Sequence, residues 1–80
     1  MKNEELQNLI AGYYSAVPEV KTVSVYAHPQ ERTVRIMINA GMSATYDAAV
    51  MDRLLEAEYA AYKEIERRME EYWTLDVSYI

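Results

Sequence analysis

The chain has no cysteine and no phenylalanine, one histidine, one tryptophan, two glycines and two prolines in 80 residues. The missing thiols exclude disulfides, thiolate metal sites and a cysteine nucleophile. A single imidazole excludes any site built on two histidines. Two glycines cannot supply a phosphate-cradling loop of the kind that needs several closely spaced glycines. No run approaches the roughly 18 apolar residues of a membrane span. Basic residues are also few: eight Lys and Arg against thirteen Asp and Glu leave a net charge of −5. Such a chain repels nucleic-acid backbones and anionic membranes at long range, so neither is expected as a partner.

What is present is one domain's worth of residues, 1–80, near the size at which a single core holds a fold unaided. The opening Met1-Lys2-Asn3-Glu4-Glu5 lacks the basic and apolar regions of a signal peptide, so a cytoplasmic protein is expected. Residues 4–16 read as a helix with Asn3 as N-cap, Glu4 and Glu5 in the first turn, and Leu6, Leu9, Ile10, Tyr13 and Val17 on one face. Pro18 ends it.

Residues 20–27 and 33–40 each alternate, with a polar loop His28–Arg32 between them. This predicts a hairpin in which Ala27, Val25 and Val23 face Val34, Ile36 and Ile38. Only that register gathers every apolar side chain on one face. A second helix is expected from about Tyr46 to Glu71, capped by Ser43 or Thr45, with Glu64 and Arg68 as an i,i+4 pair. Residues 73–79 alternate again. The order α-β-β-α-β predicts a two-layer α+β fold with both helices on one face of a three-stranded sheet. An all-antiparallel strand order 2-1-3 is the expected arrangement, with the last strand beside the first rather than the second.

The long helix is the most informative feature. Twenty-six residues would span about 39 Å, against about 23 Å for a seven-residue strand. Its apolar residues form two stripes: Val50, Leu54, Ala57, Ala61 and Ile65, and beside them Met51, Leu55, Tyr59, Tyr62 and Met69. One stripe suffices for a sheet. The second is covered either by the first helix, too short at about 20 Å to cover all of it, or by a partner. The aromatic set points the same way. Eight tyrosines suit surfaces buried only on binding, because the ring is apolar and the tip polar. The outer sheet face offers a lesser contact through Tyr26, Arg35 and Met37.

Catalytic patterns are weak. His28 has no nucleophile or orienting acid at a recognisable spacing, and Asp52/Glu56 and Glu66/Glu70 are carboxylate pairs without a histidine or second acidic helix. The α-β-β-α order is also that of a type II KH domain, but the backbone-gripping GxxG is missing, since Gly41 stands alone. The sequence therefore predicts a non-catalytic protein-interaction domain, such as an adaptor, regulator or inhibitor. It would assemble as a homodimer, or with another protein, through Met51, Leu55, Tyr59, Tyr62 and Met69, without a cofactor or metal. Two other readings remain open. One is an acidic inhibitor of a nucleic-acid-binding enzyme, of the kind phages and mobile elements encode. The other is a small-ligand-binding subunit.

Overall fold

A computed structural model describes residues 3–41, 46–69 and 72–80. The elements are α1 (Asn3–Tyr14), β1 (Thr22–His28), β2 (Thr33–Asn39), α2 (Ala48–Arg68) and β3 (Thr74–Tyr79). The order and the α+β class agree with the sequence reading. The hairpin register also agrees: Val23 lies opposite Ile38, Val25 opposite Ile36 and Ala27 opposite Val34. The loop closes through Glu31 N–H to His28 O and Arg32 N–H to Pro29 O, and Arg32 takes a left-handed φ of 49° to re-enter the ladder.

The strand order differs from expectation. The sheet is β1-β2-β3, with β3 parallel to β2 rather than antiparallel to β1. Alternation within a strand is blind to which neighbour it takes. The helical return through α2 leaves β3 running parallel to β2 beside either neighbour. What distinguishes the two is that the outer edge of β1 is already taken by α1. The Gln7 side-chain amide donates to Val23 O at 2.6 Å and accepts from Val25 N–H at 2.7 Å.

Both helices share one core with the inner sheet face: Leu6, Ile10 and Tyr14 from α1, Val25 from β1, Val34, Ile36 and Ile38 from β2, and Val50, Leu54, Ala57, Ala61 and Ile65 from α2. On α1 the buried residue is Tyr14 and not Tyr13, because three residues four apart (Leu6, Ile10, Tyr14) point into the core and Tyr13 turns toward α2. Leu75 and Val77, on the apolar side of the 73–79 alternation, are half-buried because β3 is an edge strand, and Trp73 just before it is half-buried too.

The long helix is shorter than its composition suggests, 21 residues or about 32 Å. Its N-cap is Asp47, whose carboxylate accepts from Ala49 N–H at 2.9 Å and Val50 N–H at 3.4 Å. A helix beginning at Tyr46 would have put Asp47 inside its first turn; Ser43 and Thr45, expected as caps, lie outside the described residues. Tyr46 and Tyr72 consequently flank the helix rather than belong to it. Among the described residues no helix is long and apolar enough to cross a membrane.

Candidate functional site

The two flanks of α2 have different neighbours. On one, α1 runs in the opposite direction: Leu9 lies by Arg68, Tyr13 reaches Glu64, and Ala16 and Val17 share a cleft with Arg53, Ala57 and Ala60. Glu19, just after α1, pairs with Arg53 at 3.2 Å and fastens the same side.

Glu64 is the polar centre of this flank. It is buried, and its carboxylate accepts from Tyr13 Oη at 3.2 Å, from Arg67 at 2.6 and 2.8 Å, and from Arg68. Hydrogen bonds from Arg67 and then Arg68 outweigh desolvation and lower its pKa from 4.5 to about 2. The sequence shows the Glu64–Arg68 spacing but not the burial, which comes from the cover that α1 provides. Four donor contacts saturate the carboxylate.

On the other flank α1 is absent. Leu55, Glu58, Tyr59 and Tyr62 of α2 face Tyr72 and the β3 segment Thr74–Val77 across an open groove of about 620 Å³. Leu55 is 50% exposed and Tyr59 62%, while Tyr62 is half-buried. These three members of the second stripe come together. Met51 and Met69 do not join them at the surface; both are partly buried against the core. Lys63 stands 5.5 Å from the centre of the Tyr59 ring, in cation–π range. A hydrogen bond to Glu66 raises the Tyr62 pKa, so its hydroxyl keeps its proton.

The hydroxyls of Tyr14 and Tyr79 are buried, and Glu58 of the groove acts on both. Burial pushes Tyr79 up to about 12 and Tyr14 further, so both are neutral phenols. The outer sheet face places Tyr26 directly opposite Arg35, and Arg35 opposite Asp76 at 3.7 Å. Met37 lies in the next row, between Ser24 and Ser78. All three residues expected on that face are exposed there. His28 sits at the end of β1 opposite Thr33, in the turn. Among the described residues no group of three His, Asp or Glu side chains is placed to hold a metal ion.

The chain matches no protein-family model, and no curated protein or solved structure is significantly similar to it. Its function therefore has to be read from the site.

Proposed function

We propose that the chain is a small non-catalytic protein-interaction domain, an adaptor, regulator or inhibitor, that assembles through the Tyr-rich flank of α2. The observation that carries this reading is the one-sided placement of α1. It packs on the Ala57–Ala60–Glu64 flank and leaves Leu55 and Tyr59 exposed beside a half-buried Tyr62. A large apolar and aromatic patch beside a polar rim is what protein interfaces present. Met51 and Met69 support the patch from beneath, as partly buried packing residues.

The test is a Tyr59→Glu, Tyr62→Glu double substitution read by sedimentation and circular dichroism. The expected outcome is a folded chain of reduced mass. A folded variant whose mass equals that of the wild type overturns the reading. One observation favours a second reading: the groove volume lies within the roughly 300–1,000 Å³ of small-molecule pockets. A melting-temperature screen against metabolites distinguishes the two. A ligand-dependent rise abolished by Tyr72→Ala supports a ligand-binding subunit.

A further inference from the structure

The two edges of the sheet are unequal. In a parallel pair, alternate residues of an edge strand direct both N–H and C=O to their neighbour, and the residues between direct theirs outward. Thr74 N–H donates to Arg32 O and Ile80 N–H to Ile38 O, each at 2.8 Å. The even-numbered residues of β3 thus serve β2, and Leu75, Val77 and Tyr79 turn their backbone groups to the outer edge. No strand among the described residues pairs with that edge. The corresponding groups of β1, Val23 O and Val25 N–H, are held by the Gln7 amide.

We propose that the occupant of the β3 edge is a second copy of this chain, paired antiparallel strand to strand about a two-fold axis at Val77. This rests on the reading of the α2 flank as an assembly surface and specifies its partner and register. Two identical edges pair antiparallel only about an axis perpendicular to the sheet, which keeps both helix layers on the same side. The two grooves then face each other. α1 packs on β1, while α2 shares the core with β2 and a groove with β3, which sets α2 toward the β2–β3 side of the sheet. Strands are about 4.8 Å apart. A helix over the β2–β3 seam stands about one strand spacing from the axis, and two such helices meet at roughly 10 Å, a normal packing distance. Leu55, Tyr59 and Tyr62 meet their counterparts there.

The register follows from the same alternation. With Val77 on the axis, Val77 opposes the partner's Val77, and Leu75 and Tyr79 oppose the partner's Tyr79 and Leu75. Each opposed pair exchanges two backbone bonds. On the outer face Asp76 lies opposite the partner's Ser78, a hydroxyl able to donate to the carboxylate. Centring the axis on Asp76 sets like charges directly against each other, which is unfavourable. Centring it on Ser78 loses the pairs made by Leu75.

Because the chain has no cysteine, the register is testable by cross-linking. The probe is the full chain carrying Asp76→Cys and Ser78→Cys together, oxidised at a concentration where the wild type is a dimer. The expected product is a disulfide-linked dimer, with little from Asp76→Cys alone. Independently, Ser78→Asp sets a like charge against Asp76 twice per dimer and weakens association roughly tenfold. Ser78→Lys tightens it at low salt. A wild-type dimer indifferent to both charges and without the 76–78 cross-link overturns edge pairing and leaves assembly through the helix standing. A wild-type monomer at tens of micromolar, with or without affinity for another protein, overturns the self-pairing.

Discussion

The β1 and β3 edges are built from equally apolar strands and end in different chemical states. At β1, one side-chain amide reproduces the donor and acceptor of an incoming strand, so the edge is closed from within the chain. At β3, the backbone groups of Leu75, Val77 and Tyr79 face outward beside a groove lined by Leu55, Tyr59 and Tyr62. The helices repeat the contrast. The flank of α2 nearest α1 holds a saturated carboxylate and two ion-paired arginines; the flank nearest β3 holds exposed aromatic rings. A small domain with a short first helix can cover one edge and one flank. The uncovered edge and the uncovered flank fall on the same side, and that coincidence makes the side an interface candidate.

The largest expected effect lies on the strand common to both edges. Ile36 is fully buried on β2, and Ile36→Ala is expected to cost about 2–5 kcal/mol. Urea unfolding measures it, and amide protection at Val25 and Asp76 should fall together. A loss confined to one strand would show that the two edges unfold separately.

Gln7→Ala erases the difference between the edges. It leaves Val23 O and Val25 N–H without the amide, at a cost of about 1–3 kcal/mol. It also presents a second open edge, so the variant should form species larger than those of the wild type in sedimentation. Retained mass together with retained stability would show that the Gln7 bonds do not close β1.

On the closed flank, Glu64 gives a pH signature. Its folded pKa of about 2 lies below its ordinary 4.5. Its stabilising contribution is therefore fully present above about 4.5 and is lost as pH falls toward 2. Acid titration of Glu64→Gln against the wild type should show a stability advantage for the wild type that shrinks over that window. An advantage that stays constant across it would mean that the carboxylate is not held by Arg67 and Arg68.

The smallest effect is at the outer face of the open edge. Arg35 and Asp76 are about half exposed, so Asp76→Asn should change monomer stability by only about 0.5 kcal/mol. A loss of several times that would assign Asp76 a buried role.

The sequence makes the hairpin register legible because a period of two leaves one pairing that buries Val23, Val25, Val34, Ile36 and Ile38 together. The core stripe of α2, Val50 to Ile65, is legible for the same reason at the helical period. The position of β3 is not, since Leu75, Val77 and Tyr79 alternate identically beside either neighbour. Gln7 and Glu64 were hidden for a shared reason. Each is a polar residue on a helix, and its meaning depends on what lies opposite: a strand edge for Gln7, and Tyr13 of α1 for Glu64. The exposed stripe was legible as Met51, Leu55, Tyr59, Tyr62 and Met69. Its narrowing to three surface residues depends on where the core reaches Met51 and Met69.

The measurement that addresses the open edge most directly is amide hydrogen exchange at Leu75, Val77 and Tyr79 as a function of protein concentration. These three amides point away from β2, so the isolated chain cannot protect them by strand pairing. The account predicts slow exchange at high concentration that accelerates on dilution, while amides of β2 stay protected. Fast exchange at every concentration would contradict edge pairing between two copies.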